Sequence, residues 1–282
     1  MIKKIFNILF ASLVVASLFS CNEQEDIELN QNPDFVVVFA ELAQGETAEV
    51  ELRYSTDFAL PIDNYEDKFK KQISNARVIL KASNGKEEIL KESKEKAGIY
   101  YSELIKGEED VHYDLIIDAA GKRFTSSSYI PKPVKLDKIE VVEDLGNGEY
   151  SSDGKAEVTV YWKDRPNERN FYMLKLDIDS ENLIEYGKKD NIYLFSDINN
   201  DGNNIKLKLK KSSLMKMPDY AYTVSLRCID EDTYNYISSV QNYEDNGSDF
   251  TFTSPGNLPT NINGGAVGFF NAFAVSKIVW KK

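Results

Sequence analysis

Histidine is nearly missing from this chain: His112 is the only one in 282 residues. Ser-His-Asp and Cys-His mechanisms need an imidazole base oriented by a third group, so catalysis of that kind has a single position to stand on. Cysteine is almost as scarce. Only Cys21 and Cys228 are present, and with one histidine they cannot assemble the three or four nitrogen and sulfur ligands of a zinc site. No glycine-rich phosphate loop and no nucleophile elbow occurs, so no cofactor is expected. The uncharged apolar stretch from Ile5 to Phe19 has 15 residues, short of the roughly 20 needed to cross a bilayer core as a helix.

That short stretch carries the most informative signal in the sequence. Lys3 and Lys4 precede it, and it ends in Leu18-Phe19-Ser20-Cys21. A positive start, a short apolar segment and a cysteine directly after a small residue form a lipobox, where a bacterial lipoprotein is diacylated and cleaved. Residues 1–20 are therefore expected to be a lipoprotein signal peptide, and Cys21 the lipidated residue that holds the chain at a membrane face outside the cytoplasm. Residues 21–32, with Glu23, Glu25, Asp26 and Glu28, are too polar to bury themselves and read as an acidic tether. This tract resembles the export signal that sends lipoproteins of the Bacteroidota to the outside of the outer membrane; a solvated linker is the other reading.

Removing Lys3 and Lys4 from the 34 basic residues leaves 32 against 46 acidic ones, a net charge of −14. Such a surface repels phosphate backbones, which excludes nucleic acid as a partner. An apolar fraction of 42% with 15 Phe and 16 Tyr is ample for a packed core.

Alternation of apolar and polar residues dominates the mature chain. Phe35 to Phe39, Ala48 to Tyr54, Ala76 to Ala82, Glu87 to Leu90, His112 to Asp118 and Phe124 to Ile130 read as strands, with turns at Asn84-Gly85 and Gly121. Pro131 and Pro133 interrupt the run, which bounds one β-sandwich over 33–133. A second sandwich is expected over 134–282, from strands at Leu136 to Val142, Ala156 to Trp162, Asn170 to Asp177, Ile205 to Lys210 and Tyr220 to Ile229, with a Gly146-Asn147-Gly148 turn. A strand ending in Trp162, a polar turn and an aromatic-rich strand resemble fibronectin type III modules. Only 64–72 and 232–243 look helical; in the latter, Tyr236, Val240 and Tyr243 share a face. The fold class is thus all-β: two immunoglobulin- or fibronectin-like sandwiches with minor helices, after a lipoprotein signal peptide.

Few positions suggest chemistry. His112 shares its strand face with Asp114 and Asp118, opposite Tyr113, Leu115 and Ile117, and so points to solvent. Cys228 alternates with Tyr222, Val224 and Leu226 as a buried, inert thiol. The 46 acidic residues contain many pairs, but sequence does not measure the separation a carboxylate mechanism needs. Asp197, Asn199, Asp201 and Gly202 fit the first half of a calcium loop, yet the twelfth position is Lys208, and a hairpin turn explains the same residues. Near the C-terminus, Asn261, Gly264, Gly265, Phe269 and Phe270 read either as a buried closing strand with a bulge at the glycines or as an aromatic binding rim.

Several segments in this order resemble one family. Cys21 with Glu25 to Glu28 and Phe35 to Val38, then Asn75 to Leu80, Phe195 to Asp197 with Asp201-Gly202, Tyr234 to Val240, and Asn261 to Gly265 with Gly268 to Phe270 are similar to the Bacteroidota lipoproteins of domain of unknown function 4249. The resemblance covers the mature chain and implies a place, not a reaction: an outer-membrane lipoprotein, at the cell surface, beside TonB-dependent transporters. It also implies that Asp197 to Gly202 is the family's turn.

The reading is a non-enzymatic, lipid-anchored accessory or binding protein of an outer-membrane β-barrel, with a stand-alone glycan- or peptide-binding module as the alternative. An open cleft of Trp or Tyr favours glycan, and a broad apolar patch favours a protein partner.

Overall fold

The computed structural model describes residues 35–54, 72–144, 154–179, 192–214, 221–245 and 259–281. The expected signal peptide 1–20, the tether 21–32 with Cys21, and the turn at 146–148 lie outside them. So does the helix expected over 64–72, except Gln72, which bridges to Arg53.

The first sandwich is built from β1 (Val36–Ala43), β2 (Thr47–Tyr54), β3 (Arg77–Ala82), β4 (Glu87–Ile89), β5 (Lys91–Glu92), β6 (Ile99–Lys106), β7 (Val111–Ala119) and β8 (Lys122–Ile130). Strands β1-β2-β6-β5 lie side by side in one sheet and β8-β7-β3-β4 in the other. Alternation sets the inner faces. Val38, Ala40 and Leu42 of β1 and Ala48, Val50 and Leu52 of β2 pack in one core with Val78, Leu80, Leu115 and Ile117. Full burial of each large aliphatic contributes about 1.5–3 kcal/mol before chain entropy is counted. Ala120 and Gly121 join β7 to β8 with φ of 51° and 71°, the left-handed pair that a two-residue hairpin with the strands' twist requires.

The second sandwich contains β9 (Leu136–Asp144), β10 (Gly154–Lys163), β11 (Phe171–Asp179), β12 (Ile192–Ser196), β13 (Asn204–Leu214) and β14 (Ala221–Ile229), followed by helix α1 (Glu231–Asp245), β15 (Ile262–Asn263) and β16 (Val267–Lys281). Sheet β13-β10-β9 faces β12-β11-β14-β16. Buried Trp162 meets the rings of Tyr172 at 5.6 Å and Phe195 at 5.3 Å, both edge-on. In both halves two leading strands and a returning one (β1-β2-β6, β9-β10-β13) face a four-stranded sheet (β4-β3-β7-β8, β12-β11-β14-β16). That is the plan of immunoglobulin- and fibronectin-like sandwiches.

Strand β16 belongs to both halves. Residues 267–273 run parallel to β1, while 274–281 pair antiparallel with β14, giving one eight-stranded sheet, β12-β11-β14-β16-β1-β2-β6-β5. A division at 133/134 therefore does not account for the C-terminal strand, and β15 likewise pairs back to β8. Gly264 and Gly265, with φ of 101° and 86°, are a turn and not a bulge within one strand, because there the chain leaves β8 for β1.

Helix α1 lies on the outer face of the long sheet. The Asp230 carboxylate accepts the Thr233 N–H at 2.8 Å and so caps the helix, with Glu231 and Asp232 complementing its dipole. The other Asp230 oxygen accepts the Ser128 hydroxyl at 2.6 Å, and Ser128 Oγ accepts the Ala272 N–H at 2.9 Å. Tyr234 and Ile237 pack with Phe171, Met173, Ile229 and Phe273. Tyr236, from the expected apolar face, stacks on Phe269 at 4.8 Å; the side chains of Val240 and Tyr243 lie outside those described.

Candidate functional site

His112 is exposed on β7, as its strand parity requires, and its ring lies 4.5 Å from Tyr129 on the neighbouring strand. The Ser127 hydroxyl donates to Asp114 at 2.6 Å and Tyr129 donates to Asp110 at 2.7 Å, so neither oxygen is prepared by the imidazole. Cys228 is buried, accepts the Val134 N–H at 3.3 Å, and has its thiol pushed up to about 11 by burial. A thiol held neutral in this way is a packing group and not a nucleophile.

The acidic turn is assembled differently from the calcium-loop pattern. Asp197 and Asp201 come together with Asp164, their oxygens all within 4.8 Å of one another, while Asn199 is exposed. Asp197 is buried and accepts the Asn170 backbone N–H at 2.9 Å and its side-chain amide at 3.0 Å. Asp164, equally buried, accepts the Tyr172 hydroxyl and the Gly202 N–H at 2.8 Å, and Asp201 accepts the Asn167 N–H at 2.8 Å. Burial, then the bond to Asp164, pushes the Tyr172 hydroxyl far up. The three carboxylates thus stitch the β10–β11 loop to the β12–β13 turn. Sequence spacing found two of them and missed Asp164, which lies 33 positions before Asp197.

The C-terminal candidates separate. The Asn261 amide accepts the Phe270 N–H at 2.9 Å and donates to the Phe270 carbonyl at 2.7 Å, which pins the start of β16. A side chain on Gly264 would meet the Arg123 carbonyl oxygen at 2.4 Å, and Phe270 is wholly in the core. Gly265 is exposed in the turn. Phe269 alone reaches the outer face, where it meets Phe39 edge-on at 5.6 Å.

There the outer faces of β1, β2 and β16 form a groove of about 330 Å³. It is lined by the rings of Phe39, Phe269 and Phe273 and by the carboxylates of Glu41, Glu46, Glu49 and Glu51. The register explains the composition. Phe39 sits across from Phe269, Glu41 from Asn271 and Ala43 from Phe273, and on the other side Glu41 faces Glu49. Like charges directly opposite one another weaken a strand pair. Arg227 answers Glu41 at 2.9 Å and Arg53 lies 3.9 Å from Glu51; among the described residues neither Glu46 nor Glu49 has an ion-pair partner. The Tyr101 hydroxyl is raised, first by burial and then by Glu49. Sequence reading gave Phe39 to one strand and Glu49 and Glu51 to another without singling them out, and only their apposition to β16 makes a site of them.

Between Phe269 and Phe273, on the same face, stands Asn271. It is fully buried, and neither its Oδ1 nor its Nδ2 has a hydrogen-bond partner.

The sequence matches the family model described as Domain of unknown function (DUF4249) over residues 23–278. No curated protein matches it. Among solved structures, a two fibronectin type-III domain segment from chicken tenascin is similar at 15% identity, covering 68% of this chain and 91% of that one with a TM-score of 0.22; the fold assignment stands on strand order.

Proposed function

This chain belongs to the DUF4249 family, and we propose that it is a non-catalytic binding module, held at the outer membrane by lipid on Cys21 and acting with a β-barrel such as a TonB-dependent transporter. The lipobox supports the anchor. The observation that carries the binding role is the groove of β1, β2 and β16, where three aromatic rings and four carboxylates line one concave outer surface. Enclosed rings beside charged groups suit recognition. The chain's one imidazole, His112, is on β7, in the opposite sheet of the first sandwich. A binding role matches that distribution better than turnover does.

Membrane anchoring and partnership are tested together by purifying the tagged protein from native membranes. The reading expects a diacylated Cys21 by mass spectrometry, an integral β-barrel protein recovered with it, and release of Cys21→Ala protein from the membrane. An unmodified mature N-terminus removes the anchor. Recovery of the protein alone moves the reading to a solitary binding module.

A further inference from the structure

Helix α1 covers apolar surface while burying little of its own. Beneath it, Phe171, Met173, Ile229 and Phe273 form a cluster separate from the main core, and the Tyr234 and Ile237 side chains that pack there are only half-buried. Thr233 is the one fully buried side chain among those described on α1, and its hydroxyl has no hydrogen-bond partner among the described residues. On the strand below, Asn271 stands between Phe269, on which Tyr236 stacks, and Phe273 of the cluster, and its amide is likewise buried and unpartnered. Such groups cost the seated helix free energy and regain their bonds from water once uncovered. The last turn of α1 also holds no basic residue to complement the helix dipole. At its start the helix is tied firmly, by the Asp230 cap joined through Ser128 to Ala272 and by Arg169 to Glu231 at 3.3 Å. Further along, among the described residues, its one polar link to the sheet is from the Gln241 amide to the Ile192 carbonyl at 2.9 Å, and that link is exposed.

We propose that α1 is a releasable strap, hinged at Asp230, whose lifting uncovers Asn271 and frees two of the three rings that line the groove, Phe269 and Phe273. The proposal rests on the binding-module reading and gives that site its regulation. With the strap seated, Tyr236 lies on Phe269 at 4.8 Å and Phe273 is 4% exposed, so α1 bounds the groove on its β16 side. With the strap lifted, both rings gain room to turn and the groove extends along β16 past Asn271. The two ends of the helix differ in the way this motion needs, with several ties at the hinge and one exposed latch beyond it. Elements that move for binding are drawn from the least stable parts of a fold. A half-buried helix over two orphaned polar side chains meets that description, whereas the strands beneath it are paired on both sides.

Hydrogen exchange and methionine oxidation on the mature, lipid-anchored protein in detergent test the strap with no partner present. Amides of 234–245 should exchange at least about a hundredfold faster than those of β11 and β14, at a rate that low urea does not change, as a local opening does. Met173, 5% exposed beneath the helix, should take an oxygen atom from dilute hydrogen peroxide, with water as the by-product, at a rate equally indifferent to low urea. Thr233→Val with Asn271→Leu, which gives both buried positions apolar side chains of similar size, should slow both rates by at least about tenfold. Gln241→Ala, at an exposed site, should raise both by about threefold or more. Exchange of α1 only together with β11 and β14, at one shared urea dependence, overturns the proposal, as do rates that neither variant moves. A tight helix with a β-barrel recovered from native membranes removes the strap and leaves the partner reading standing; a mobile helix with no barrel recovered does the reverse.

Discussion

Gly268 and Val38 are opposed where β16 runs parallel to β1, and a Cβ on Gly268 would lie 1.9 Å from the Val38 carbonyl oxygen. With φ at 111° the position is also one that side-chain-bearing residues avoid. Gly268→Ala should therefore separate the two strands and cost about 3 kcal/mol or more. Urea unfolding measures it, and a loss below about 0.5 kcal/mol, the range of an ordinary surface change, would show that β16 does not seat on β1 as described.

Much of the sandwich architecture was legible in sequence, a buried closing strand included, but the parallel partner of that strand was not, for a physical reason. Alternation in 47–54, 111–119 and 221–229 states which face of each strand is buried, because the side-chain period is local. The parallel partner of β1 lies more than 200 positions away, and the run from 267 to 274, where Phe270, Asn271, Ala272, Phe273 and Ala274 are all buried, shows no alternation because both faces are covered. The groove was illegible for the same reason. Phe39, Glu49 and Phe269 lie on three separate strands, and concavity arises only from non-local register. Asp164 escaped notice because the turn it completes is drawn from two loops.

Buried Cys228 makes stability depend on pH in a defined direction. Its thiol stays neutral in the fold up to about 11 against an ordinary value of 9.0, chiefly through burial, so the unfolded chain releases this proton first. Its contribution is complete below pH 9 and is lost as pH rises from there to about 11, by about 2–3 kcal/mol. Cys228→Ala should remove that part of the slope in pH-dependent denaturation. Identical slopes for the two proteins would contradict it. Reductant should not move the unfolding midpoint, since with Cys21 lipidated only one thiol remains.

The turn of Asp164, Asp197 and Asp201 should hold without metal, because its carboxylates are already engaged by backbone and Tyr172. Thermal unfolding is expected to be unchanged by EDTA, whereas Asp164→Ala, which strands the Tyr172 hydroxyl and the Gly202 N–H, should cost about 2–4 kcal/mol. A fall of several degrees with chelator would make these three residues a cation site.

Asn271→Leu isolates the stability cost of one buried amide. Replacing this unpartnered group with an apolar side chain of similar size should stabilise the fold by about 1–2 kcal/mol. Urea unfolding measures it, and a loss of stability would show that the amide is held by polar contacts in the core.

The most direct measurement of the central claim is hydrogen exchange on the protein bound to a β-barrel recovered from native membranes, compared with the protein alone. A partner engaged through the groove should slow exchange in 36–43, 47–54 and 267–273 and leave 111–130, the strands bearing His112 and Tyr129, unchanged. Protection confined to 111–130, or no difference anywhere in the described strands, would contradict the account.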